Sequence, residues 1–156
     1  MESMIIQSVF EQHMPIPLQF TCEGKNVSPP LKFLNVPKEA KSLVLIMDDP
    51  DAPRGVFDHW IVWNIPSELN QLSEGGKELF YPSSLVKQGL NGFQKVEYQG
   101  PCPPPGKPHH YFFKLYALDA LLELKEGASK AEVEQAMQGH VLNQAKLVGI
   151  YQREKS

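Results

Sequence analysis

The stretch Ser42–Ile65 decides the fold: it reads SLVLIM (residues 42–47), DDPDAPRGVFD (48–58) and HWIVWNI (59–65). Two apolar runs of strand length, rich in β-branched and aromatic residues, flank a connection with four Asp, two Pro and one Gly. Neither run has the length or the period of a helix, so the pattern predicts two buried strands joined by an ordered loop. If they pair antiparallel, the end of the first and the start of the second lie at one edge of the sheet. That places Asp49 and His59 at one mouth, a carboxylate and an imidazole on the rim of a buried sheet.

The 156 residues predict a single domain over 1–156, large enough to bury a core of its own. Fourteen prolines and eleven glycines point to many short elements and fixed loops, a mainly β fold. The formal charge is -3 and the cations are scattered, which argues against nucleic acid as a partner. No run of eighteen apolar residues is present, so no transmembrane helix is expected. The N-terminus lacks the pattern of a secretory leader, and the expected location is cytoplasmic. In that compartment Cys22 and Cys102 read as free thiols.

Around the central unit, Ile5–Phe10 and Leu31–Leu34 read as short strands, with an ordered loop of turns between them. Pro66–Leu69 reads as one helical turn, and residues 70–97 as a long excursion with little regular structure. A loop with five prolines, Tyr98–His110, then runs into Tyr111–Leu118. That segment is a strand with Tyr111, Phe113, Leu115 and Ala117 on one face. Ser129-Lys130-Ala131-Glu132 fits a capping box at the start of a helix that Gly139 ends. Val141–Tyr151 reads as a last strand.

Two rigid loops each deliver a histidine to the start of an apolar strand, His59 in one case and His109 in the other. Taken alone, His59 reads as a core histidine bonded to a backbone carbonyl, and Asp51 as a turn cap. Together with Asp49 they read as a site. A carboxylate near an imidazole favours its charged form, and two N–H-donating rings with loop amides suit a phosphate or carboxylate. Phe57, Tyr111 and the prolines supply apolar walls. The competing reading is a hydrolase or isomerase with His59 as general base held by Asp49, but no G-x-S-x-G elbow or other nucleophile accompanies the pair. Cys102 could be a reactive thiol or a small packed residue. His109 and His110 point to opposite faces of a strand, which makes a shared metal awkward. No metal or cofactor is expected.

Asp49-Pro50-Asp51-Ala52-Pro53 with His59-Trp60, and Tyr98-x-Gly100-Pro101-x-Pro103-Pro104-x-Gly106 with His109-x-Tyr111, resemble the two signature segments of the phosphatidylethanolamine-binding protein family, also called the Raf kinase inhibitor protein family. Thr21–Gly24, Ser28–Leu31 and Gly139–Leu142 look like its bacterial branch. The resemblance implies a β-sandwich with a large central antiparallel sheet, a smaller second sheet and one or two short helices. It also implies a pocket for phosphate or a phosphoethanolamine-type headgroup built from Asp49, Phe57, His59, Gly100, Pro103, Pro104, His109 and Tyr111. Family members act mainly as binders that modulate a kinase, protease or signalling protein rather than as enzymes, and bacterial relatives suggest homodimers. Two departures stand out. His110 occupies the place of a usual Arg, removing a permanent charge and a five-donor fork. The sequence also lacks the C-terminal helix that partly gates the pocket in eukaryotic relatives, which implies a more open mouth.

Overall fold

A computed structural model describes residues 3–81 and 84–154; Met1, Glu2, Pro82 and Ser83 of the readings above lie outside them. The two apolar runs are strands β4 (Ser42–Asp49) and β5 (Phe57–Pro66). They pair antiparallel, the condition under which Asp49 and His59 come to one edge of the sheet. They occupy the middle of a six-stranded sheet with β2 (Met14–Pro15), β7 (Lys87–Gln88), β8 (His109–Leu118) and β9 (Val141–Tyr151), in the order β2-β9-β8-β4-β5-β7. A second, three-stranded sheet holds β1 (Ile5–Gln7), β3 (Leu31–Leu34) and β6 (Gln71–Leu72) in the order β1-β3-β6. The fold is therefore mainly β, with two sheets.

Every residue of β4 is buried, which is unusual for an antiparallel strand and explains its unbroken apolar run. Both faces of the large sheet are covered. Leu43, Leu45, Met47, Trp60, Val62, Tyr111, Phe113 and Leu115 pack toward the small sheet, against Ile6, Leu31, Phe33 and Leu72. Val44, Ile46, Ile61 and Trp63 pack on the other side against Leu122, Ala128, Val133 and Met137. The last two belong to helix α1 (Lys130–Met137), whose start is the expected capping box: Ser129 and Glu132 each satisfy the other's backbone N–H. Gly139, at φ +82°, follows the helix end in the left-handed conformation that suits glycine.

The long excursion after β5 is more structured than its composition suggests. It contains β6, a 3-10 turn over Lys77–Phe80, and β7 as the edge strand. Strands of two residues leave no readable period, so only their pairing reveals them. Pro66–Leu69 closes as a single turn through a hydrogen bond from Leu69 N to Pro66 O.

Cys22 and Cys102 are joined in a disulfide, not free thiols. Cys22 N donates to Pro101 O (3.1 Å), and Tyr98 Oη donates to Phe20 O (2.6 Å). These contacts lay the proline loop against the Thr21–Gly24 turn. Eighty positions separate the two cysteines, so nothing local announces the pairing.

Candidate functional site

β4 lies between β5 and β8, so the sites predicted on separate loops meet at one end of one strand. Asp49 ends β4, Phe57 begins β5, and His109 begins β8. A bulge then decides which way His59 faces. Met47 pairs with Trp60 and Asp48 with Asp58, leaving His59 as the extra residue on β5. An extra residue interrupts the in-out alternation and re-aims a side chain. His59 thereby joins Asp49 and Tyr111 on the face toward the small sheet rather than following Ile61 to the other.

The result is a cavity of about 180 Å³ walled by Ala52, Pro53, Phe57, Phe93, Cys102, Pro103 and Pro104, with Asp49, His59, His109 and Tyr111 as its polar groups. Seven of the eight predicted site residues line it. Gly100 does not: its N–H donates to Asn26 Oδ1 (2.8 Å), and a Cβ there would fall 2.0 Å from Phe20 O. Glycine at that position lets the proline loop approach the Phe20 backbone. It shapes the wall from behind. Ala52, Pro53 and Cys102, which stand in the two signature segments, line it without having been named as site residues, and Phe93 is the lining residue that lies outside every predicted motif. It stacks edge-on to Phe57 at 4.8 Å, and Gly92 beside it makes room, since a Cβ there would meet the Phe57 ring at 2.5 Å. Its one cue is an aromatic flanked by glycine in an otherwise polar stretch.

The hydrogen bonds correct the expected pairing. Asp49 does not hold His59; its Oδ2 accepts from His109 Nδ1 at 2.7 Å, and its Oδ1 accepts from Asp51 N at 2.8 Å. Asp49 is thus both the turn cap and the imidazole's partner. Asp51 instead accepts from His110, from the backbone N (2.8 Å) and from Nδ1 (2.7 Å), on the outer side of β8. That pair holds the Asp51 carboxyl below its ordinary range, the His110 side chain being the main cause. His110 therefore ties the aspartate loop to β8, a task its ring nitrogen performs without an Arg's fork.

His59 donates from Nδ1 to Gln99 O (2.7 Å), while Gln99 N donates to His59 O (3.2 Å). Both readings of this histidine hold at once: it is a carbonyl-bonded core residue and a pocket wall. Burial is the dominant influence on its ring and pushes its pKa down, against the weaker opposite pull of Gln99 O and Asp49. The upward shift expected from a neighbouring carboxylate does not prevail at His59, because Asp49 faces the other histidine. Tyr111 is fully buried and its hydroxyl has no hydrogen-bond partner among the described residues. Burial first, then the Asp49 charge, keep that phenol protonated far above its usual range. His59 lies edge-on to Tyr111 (5.3 Å) and to Phe57 (5.1 Å), so aromatic packing fixes its ring plane.

A larger cavity, about 640 Å³, opens on the opposite face of the sheet, where Asp48 is the buried carboxylate. Lys114 (3.0 Å) and Lys130 (3.3 Å) neutralise it, and Lys130 also reaches Asp58 at 2.7 Å. Those ions pin α1 to the sheet. Among the described residues no group of three His, Cys, Asp or Glu side chains is placed to hold a metal ion.

Fold and site define a class: a two-sheet β protein with a small pocket at the ends of its central strands, polar at its base and apolar at its walls. The chain belongs to the phosphatidylethanolamine-binding protein family, whose model matches residues 6–152. It is 50% identical over 144 residues to a UPF0098 protein of Methanothermobacter thermautotrophicus, covering 92% of this chain and 95% of that one. A UPF0098 protein of Pyrococcus horikoshii is 49% identical over 97% of this chain and 78% of its own length. Among solved structures, a phosphatidylethanolamine-binding protein homolog from Chlamydia trachomatis superposes with a TM-score of 0.88 at 40% identity, covering 97% of this chain and 99% of that one. YbcL of Escherichia coli, described as a member of the mammalian family, gives 0.87 at 29% identity over 98% and 100%.

Proposed function

We propose that this chain binds a small anion, phosphate or a phosphorylated headgroup, in the pocket of Asp49, His59, His109 and Tyr111, and through it modulates a partner protein such as a kinase or protease. The observation that carries the reading is the Tyr111 hydroxyl, fully buried in the pocket wall beside the Asp49 carboxylate yet in no hydrogen bond of ordinary geometry among the described residues. An unmatched buried donor costs about 1–3 kcal/mol, which a ligand oxygen would recover. The volume, about 180 Å³, suits a headgroup rather than a whole lipid. The walls of Phe57, Phe93 and proline suit an apolar attachment beside it.

The test is thermal unfolding with and without phosphate or phosphoethanolamine. A ligand held only by the folded state at a hundred times its Kd adds about 2.7 kcal/mol. For a chain of this size that raises Tm by roughly 5–11 °C. His59→Ala should remove the rise. No rise for the wild type at millimolar ligand refutes the reading.

An enzymatic alternative must run through Asp49 and His109, since Asp49 does not touch His59. A screen of esters and phosphoesters decides it: turnover lost in His109→Ala would replace binding by catalysis. The cytoplasmic setting also belongs to the proposal. The disulfide overturns the free thiols expected in that setting, although disulfides do persist inside cells of hyperthermophiles.

A further inference from the structure

The side chains of the pocket hold few hydrogens for an oxyanion. Gln99 O and the Asp49 carboxylate can only accept, so Nδ1 of His59 and Nδ1 of His109 each carry the ring hydrogen. In a neutral ring Nε2 then bears a lone pair. Neither Nε2 has a partner among the described residues. The pocket's side chains thus offer two ring lone pairs and one carboxylate, with the Tyr111 hydroxyl as the buried side-chain donor. Among the described residues no lysine or arginine lines it.

The surroundings add no cation. His59 is faced by Asp49 from β4 and by Tyr111 and His109 from β8, while Asp48 and Asp58 stand on the opposite face of the sheet, paired with Lys114 and Lys130. His109 is faced by Asp49 from β4, with Tyr111 on its own strand; the Asp51–His110 pair stands on the outer side. The Arg153 side chain donates to Pro103 O, its carbonyl accepts from Gly106 N, and it is not among the residues lining the cavity. A fully ionised phosphate would therefore set oxygen lone pairs against ring lone pairs and a negative charge beside Asp49.

Resting on the anion-binding reading, we infer that the pocket takes an oxyanion only together with one proton it does not hold when empty. The proton arrives on the ligand, as a singly protonated phosphate or phosphate monoester, or is drawn from solvent onto Nε2 of His109. His109 is the ring for it because its Nδ1–H already rests on the Asp49 carboxylate, 2.7 Å away. His59 stays neutral in its buried place and discriminates in favour of a ligand that brings a hydrogen of its own. The occupied site prefers a protonated monoester headgroup to a dianion of equal size.

Calorimetric titration of the wild type with inorganic phosphate and with sulfate, at pH 6 to 8 in two buffers of different ionisation heat, tests this. Sulfate carries no proton in that range, so any proton must come from the buffer. The expected result is sulfate affinity falling as pH rises, by at most about tenfold per pH unit for one coupled proton, with heat that depends on the buffer. Phosphate bound with sulfate excluded throughout also supports the inference, the proton then travelling on the ligand. Sulfate bound equally at pH 6 and pH 8 without buffer-dependent heat overturns it and leaves the anion-binding reading intact. Binding of neither ion at any pH removes both. A second arm uses Asp49→Asn, whose amide can donate to Nδ1 and shift the ring hydrogen to Nε2 while its oxygen keeps the Asp51 N–H. That variant should bind sulfate at pH 8 with a flattened pH slope, and a slope as steep as the wild type's overturns the assignment to His109.

Discussion

Gly100→Ala separates the frame of the pocket from its lining. A methyl at Gly100 would lie 2.0 Å from Phe20 O, 2.7 Å from Asn26 Oδ1 and 3.0 Å from the Phe20 carbonyl carbon. Carbon-to-oxygen contacts normally settle at about 3.3–3.6 Å, so the proline loop must retreat by more than an ångström or the Phe20 turn must yield. Both obstacles that cannot rotate away are backbone. Overpacking of this kind costs about 1–3 kcal/mol, and the retreat also strains the Gly100 N–Asn26 Oδ1 and Tyr98 Oη–Phe20 O bonds, each worth about 1 kcal/mol. The total is about 2–4 kcal/mol, a fall in Tm of roughly 5–15 °C by calorimetry. Gly100 is not among the lining residues but Pro103 and Pro104 of the same loop are, so phosphate should still raise Tm in the variant, by less than in the wild type. A Tm within about 1 °C of the wild type would show that the wall is not held from behind by this close approach.

Gly92→Ala is the converse case. Its Cβ would meet three atoms of the Phe57 ring at 2.5–2.7 Å, so a pocket wall must move; phosphate affinity should fall at least tenfold, and an unchanged titration refutes Phe57 as a wall. The ligand-free protein should lose stability as pH falls below about 6.5. Burial depresses the His59 pKa in the folded state, so the unfolded chain binds the proton more readily, and the stabilisation present above 6.5 is lost on the way down through the folded pKa. Denaturant midpoints between pH 8 and pH 5 report this, and a slope identical in His59→Gln would refute its origin in that ring. Replacing both Cys22 and Cys102 by serine should cost about 4 kcal/mol on the chain-entropy model for so long a loop, read as a lower denaturant midpoint. Equal midpoints for the oxidised wild type and the double variant would show that the bridge does not stabilise the fold.

Much of the architecture was legible because it rests on local rules. The β4–β5 pair declared itself by two apolar runs around an aspartate-proline loop, the helix start by its capping box, and the buried face of β8 by its two-residue period. The convergence of Asp49, His59 and His109 was legible too, with one partner exchanged. Sequence order made Asp49 and His59 neighbours, whereas the insertion of β8 on the other flank of β4 gave Asp49 to His109. The bulge that turns His59 inward exists only in the register between two strands, and no residue in it is a signal by itself. Phe93 and the Cys22–Cys102 bridge were hidden for the same reason: each depends on contacts between segments far apart along the chain.

The bridge also sets the covalent topology of the oxidised polypeptide, folded or unfolded. Residues 22–102 close into a ring that carries β3 to β7, and two open arms leave it. One arm brings β1 and β2, the other β8, α1 and β9. The large sheet is completed when the second arm lays β8 alongside β4 of the ring and β9 then meets β2 of the first arm. Drawn apart by its two ends, the oxidised molecule would lengthen only by its arms, and the strand at its centre would remain inside a covalent hoop.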